Sequence, residues 1–178
     1  MKARVDRTKL VDIEQQWSAL YFATVGIAAG FLGSIVKLVA NMIGASLLDL
    51  EPTKLLRVYA TLREGPDALV ANNGIPLTDT FLMHLGVGSI LGAIFMLIMT
   101  RREHLPAFKR FLAEGTAYGL AVWITSFYLV LIWLQPLVAG EAYIVNIIPW
   151  WVAMGSHALY GCTVGLVSFP FLSDVDRS

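Results

Sequence analysis

His84 and His157 each begin a run of one form, His-x3-Gly-x3-Gly, with glycines at 88 and 92 in the first and at 161 and 165 in the second. Two imidazoles on neighbouring helices could ligate a b-type haem on its two faces, bind a metal ion, or pass protons. The simpler alternative is a pair of neutral histidines, each hydrogen-bonded across a helix contact. Lys37 and Asn41 are the remaining polar residues able to join them, giving a candidate proton, haem or solute cluster of Lys37, Asn41, His84 and His157. Lys37 alone would be expected to snorkel to a membrane interface, its stem in the apolar layer and its ammonium in water.

The elements that must position these residues follow from composition. The 178-residue chain is 57% apolar and only 15% charged, with a mean hydropathy of +0.67. Charge crowds into the first 16 positions, 49–79, 101–114 and the last residues, with only Lys37 and Glu141 outside them. Four apolar segments remain, at about 17–48, 80–100, 115–137 and 149–169. Each is long enough to cross a hydrocarbon core of about 30 Å. The expected fold is an all-α bundle of four transmembrane helices spanning 17–170, with tails at 1–16 and 171–178. The first apolar segment exceeds a signal-peptide core and has no small-residue cleavage pattern, so it is expected to persist as a helix.

Lys and Arg set the expected orientation, since short loops rich in them stay in the cytoplasm. The N-terminal tail and the 101–114 loop hold eight, against Lys54, Arg57 and Arg63 in the other two connections. Both termini are therefore expected inside, with 49–79 and 138–148 outside. Trp17, Trp133, Trp150 and Trp151 fall at the expected interfaces. The two histidines then lie roughly 7–12 Å below the outer interface.

Within 49–79, Pro52 could start a short amphipathic helix carrying Leu55, Tyr59 and Leu62 on one face and ending at Gly65-Pro66. It would rest on the outer membrane surface or pack as a lid over the bundle. Asn72-Asn73-Gly74-Ile75-Pro76 reads as a turn. Glu114 is expected to open the third helix and complement its dipole. Gln135, Glu141 and Asn146 are assigned to an outer connection.

The first and third segments echo each other through Gly26-x3-Gly30, extended by Gly33, and Gly115-x3-Gly119. The chain therefore reads as two helical hairpins in tandem, related by an axis along the membrane normal. Glycines four apart line one helix face and admit close approach of a neighbour. The second and fourth helices are expected to meet along their glycine faces, or one such face to recruit a second copy of the chain.

A net charge of zero, with no basic stripe, excludes a nucleic-acid binder. A single cysteine, Cys162, excludes an internal disulfide and a Cys-rich metal site. No phosphate loop, nucleophile elbow, zinc-protease pattern or calcium loop is present, leaving an enzymatic role unsupported and no catalytic residue to name. The glycine-rich first helix ending in Lys37, the stretch from Thr80 to His84, the basic 101–114 loop, the glycine-led third helix and Gly155-Ser156-His157 together resemble the YagU-like inner-membrane proteins of bacteria. That resemblance covers most of 24–167. It implies a bacterial inner-membrane location and a part in acid tolerance, without a mechanism. The expected function is a small membrane protein, homo-oligomeric or joined to other membrane subunits, that handles protons or a small solute near the histidine pair. The alternative is an accessory or b-haem-bearing subunit of a respiratory or other electron-transfer complex.

Overall fold

A computed structural model describes the backbone of residues 7–70, 74–102 and 104–176, with side chains from 18 to 172 of these. All the regular structure is helical: α1 (Arg7–Ser46), α2 (Lys54–Glu64), a 3-10 turn (Gly65–Leu69), α3 (Thr78–Met99), α4 (Phe108–Ile124), a π-helical stretch (Thr125–Leu131), α5 (Ile132–Ala139), α6 (Tyr143–Ile147) and α7 (Trp150–Asp176). Residues 1–6 of the expected tail at 1–16, the side chain of Trp17, and Asn72 and Asn73 of the expected turn lie outside the described residues.

Four helices are long and apolar enough to cross a membrane, at Ser18–Ser46, Thr78–Met99, Phe108–Ala139 and Trp150–Leu172. Their outward faces carry large apolar side chains, such as Ile27, Ile90, Leu129 and Leu166. Water would penalise such a surface, and hydrocarbon would not. The third span, which comprises α4, the π stretch and α5, begins at Phe108 rather than near 115. Glu114 is therefore no opening residue: it sits two turns in and holds Arg102 at 2.7 Å and Arg110 at 3.2 Å. Pro170 does not end α7, which continues to Asp176.

Helix order in space is α3, α1, α7, third span. The glycines explain why. A Cβ on Gly92 would stand 2.5 Å from Gly30 Cα, and one on Gly161 would stand 2.7 Å from Gly119 N. The glycine face of α3 is thus filled by Gly26 and Gly30 of α1, and that of α7 by Gly115 and Gly119 of α4. The expectation that the second and fourth spans meet glycine to glycine is corrected by this arrangement: each face is already occupied by the preceding span. Gly33 instead receives the Tyr160 ring, and Gly165 keeps ordinary clearance from α4.

The short helix expected after Pro52 is present and packs as a lid. Its Leu55, Leu56, Val58, Ala60 and Thr61 are all buried. Gly65 ends it at φ 67°, a left-handed conformation natural to glycine. The lid is pinned by a residue assigned above to a connection. Gln135 lies inside α5, fully buried, where its Oε1 accepts the Ile144 N–H at 2.7 Å. Its amide donates to Val58 O and Thr61 Oγ1, both at 3.2 Å. One side chain thereby joins the third span to α2 and α6. Leaving those buried groups unpaired would cost about 1–3 kcal/mol.

Candidate functional site

Beneath the lid, a cavity of about 260 Å³ opens among all four spans. Lys37 and Tyr160 form its back wall, from α1 and α7. His84, Met83, Val87 and Leu91 of α3 line one side, and Val122, Ser126 and Val130 of the third span line the other. Tyr59 and Leu62 of α2 form its roof.

The chamber exists because α3 and the third span are not packed along their length. They meet at its floor, where Tyr118 Oη donates to Leu91 O at 2.7 Å and Phe95 stacks against Tyr118 and Phe111. Above that point the third span widens into its π stretch, in which Ile132 N–H reaches back to Phe127 O. The wide turn admits an extra residue, so that Phe127 meets α7 while Ser126 and Val130 face α3. Pro136, which lacks an N–H, sits in the following turn and loosens the regular ladder there. Such π turns recur at functional sites.

Lys37 is the only Lys, Arg, Asp or Glu between positions 18 and 46, and none occurs at 80–99, 115–139 or 150–172. It does not reach the helix end as a snorkelling lysine would. Its Nζ points inward, 3.2 Å from His157 Nε2 and 6.0 Å from the centre of the Tyr160 ring. The carboxylates found in ion pairs, Glu51, Glu64, Asp79 and Glu114, all serve arginines, so Lys37 has no acidic partner among the described residues. An uncompensated cation at this depth is costly and marks a functional group by default.

The histidines are fixed in opposite tautomers. His157 Nδ1 lies 2.7 Å from Ala153 O, which can only accept, so Nδ1 carries the proton and Nε2 presents its lone pair to Lys37. His84 Nε2 lies 3.2 Å from Ser34 O, so it is the donor and Nδ1 bears the lone pair. His84 lines the chamber beside Tyr59, with ring centres 6.1 Å apart. His157 is 2% exposed and sits behind the lysine, with Phe127 edge-on against its ring at 5.6 Å. The two imidazoles are not bonded to each other.

Three of the four candidate residues are thus brought together, and one is not. Asn41 is buried a turn away, donates its amide to Lys37 O at 2.9 Å, and faces a separate crevice with Leu50 and Val152. Tyr160, Tyr59 and Ser126 are the lining residues missed above. Tyr160 was within reach, being an unexplained tyrosine inside the second repeat run, and its hydroxyl donates to Gly88 O at 2.7 Å. Nothing in the sequence pattern marks the π turn that delivers Ser126. Burial pushes the Tyr59 phenol up to about 12, so it remains a neutral hydroxyl at physiological pH.

A smaller crevice of about 140 Å³ between α2 and α3 shares Tyr59, Leu62 and Met83 with the chamber. Arg63 and Asp79 are ion-paired at its rim. No three His, Cys, Asp or Glu side chains among the described residues are placed to hold a metal ion. No protein-family model, curated protein or solved structure matches the chain.

Proposed function

We propose that this is a multi-pass membrane protein that receives a small solute in the chamber beneath α2, with Lys37 as its recognition group, His157 holding the lysine in place and His84 as a polar wall. The single observation that carries this reading is Lys37 itself, a membrane-depth cation with no carboxylate partner among the described residues, aimed at about 260 Å³ of open space. That volume falls just under the ~300–1,000 Å³ of pockets that engulf drug-sized ligands, which favours a small guest. The Lys and Arg bias of the loops favours termini inside and the lid outside. The pairing of α1 with α3 and of α4 with α7 suits two tandem hairpins. A bacterial inner-membrane setting, implied by the YagU-like resemblance, belongs to the same proposal. Association with further copies or other subunits would have to use lipid-facing surfaces, since the glycine faces are filled within the chain.

Proton relay through the histidines draws less support, because His84 and His157 are bonded to different partners. Haem ligation would require His157 to give up Lys37. Equilibrium dialysis of the purified chain with radiolabelled benzoate, a small-anion probe, tests the reading. Saturable binding that is lost in Lys37→Gln supports it. A potential-driven proton flux in proteoliposomes that disappears in His84→Gln, without anion binding, would transfer support to proton handling. A Soret band abolished in both His84→Ala and His157→Ala would transfer it to the haem-bearing subunit.

A further inference from the structure

The chamber has a lateral mouth, and its position narrows the class of guest. Met83, Val87 and Val130 line the cavity yet are 40%, 51% and 39% exposed on the surface of the protein. They flank the gap between α3 and the third span, within the lengths that cross a membrane. The cavity therefore opens sideways towards lipid acyl chains. Lys37 faces the space from the back, Tyr59 adds a hydroxyl at the roof and Ser126 one at the side, whereas Val87, Leu91, Val122 and Val130 form the walls on the way out.

We infer that the chamber takes the head of a single-chain anionic amphiphile, a long-chain carboxylate, which enters sideways from the bilayer, sets its acid group against Lys37 and leaves its tail between α3 and the third span.

Each part of that assignment has a physical reason. One cation without a carboxylate partner calls for one negative charge. A cavity this small holds a head and the first few methylenes, not a two-chain lipid with its bulky head. The open side lets the remaining chain stay in hydrocarbon, so no water-filled path is required. The tyrosine roof suits the same guest: Tyr59 lines the chamber as a neutral phenol, which is able to donate to an acid head. Below, the Tyr118–Leu91 hydrogen bond closes the gap and keeps the head at the level of Lys37.

The inference rests on the solute-chamber reading above, and the experiment separates the two. The full chain in nanodiscs is titrated with hexadecanoate carrying carbon-13 in its carboxyl group, with labelled hexadecanol and labelled acetate in parallel, and the bound carboxyl resonance is followed by NMR. The expected result is a saturable bound resonance for hexadecanoate and none for hexadecanol. It should persist in Lys37→Arg and weaken about ten- to a hundredfold in Lys37→Gln, the loss expected on removing a charged hydrogen-bonding partner. Val87→Trp, at an exposed position where misfolding is not at issue, should block the mouth and abolish binding independently. Acetate bound through Lys37 while hexadecanoate is not would overturn the amphiphile and leave the small-solute chamber standing. No binding of either acid would overturn both. Equal binding of acid and alcohol, unchanged in Lys37→Gln, would remove Lys37 as the recognition group.

Discussion

In α3, the run from His84 to Gly92 lays its glycines on Gly26 and Gly30 of α1; in α7, the run from His157 to Gly165 lays its own on Gly115 and Gly119 of α4. The glycines do the same work in both. The histidines do not. His84 donates to a carbonyl on α1 and looks into the chamber, whereas His157 is turned back onto its own helix and offers its lone pair to Lys37. Glycine spacing acts through backbone approach, which depends only on the helix and its neighbour. A histidine's role depends on what the rest of the fold places opposite it, and only one hairpin carries a lysine there.

The largest effect expected from this comparison is at the shared glycines. Gly92→Leu and Gly161→Leu should each destabilise the fold by on the order of 3 kcal/mol, the upper end of overpacking costs, because the atoms in the way are backbone. Gly86→Ala and Gly155→Ala, with nothing within 4 Å, should leave thermal unfolding in detergent unchanged. Should the two groups unfold alike, close approach is not what the repeat encodes.

The histidines should then separate. His157→Ala removes two hydrogen bonds and leaves the lysine without its acceptor, for a loss of about 2–3 kcal/mol. His84→Ala removes one, for a loss of about 1 kcal/mol, and should alter ligand binding more than stability. Equal losses in both variants would mean that the repeat is symmetric in function after all.

Gln135→Leu probes how the second hairpin holds the lid. It should cost about 1–2 kcal/mol and speed amide exchange in α2 and α6 while leaving α3 and α7 protected. Uniform loss of protection across all the spans would show that Gln135 supports the bundle rather than the lid.

The smallest effect is acidic. The Arg57 guanidinium beside Glu51 holds its carboxyl below the usual range. A carboxyl depressed in the folded state contributes stability above its unfolded value, near pH 4, and loses that contribution as pH falls through the folded value. The pair is partly exposed, so its effect should be a few tenths of a kcal/mol, seen as lower amide-exchange protection factors in α2 below about pH 4. Glu51→Gln should show the lowered protection factor at every pH.

Much of the molecule was legible in the amino-acid order. Long uncharged segments are satisfied as helices in a hydrocarbon solvent, so four spans could be read from about Trp17, Thr80, Gly115 and Pro149 onward, the third starting two turns too late. The lid helix was legible from Pro52, its apolar face and Gly65-Pro66. Gln135 and Glu114 were misplaced because polarity was taken as a sign of a helix end. A buried amide satisfied by three partners and a carboxylate between two arginines are both stable inside a helix, and the lid partners of Gln135, Val58 and Thr61, are far off in sequence.

The sequence by itself determined that four long apolar helices form, which faces are thin enough for backbones to touch, and that those helices carry Lys37, His84 and His157. Only the tertiary structure decided which glycine face meets which, that α3 and the third span stand apart, and that Lys37 turns inward to a histidine instead of outward to an interface. The physical reason is range. Helix formation and hydrophobic period are local properties of the chain, whereas a cavity and the inward turn of Lys37 are defined by how four separate helices pack.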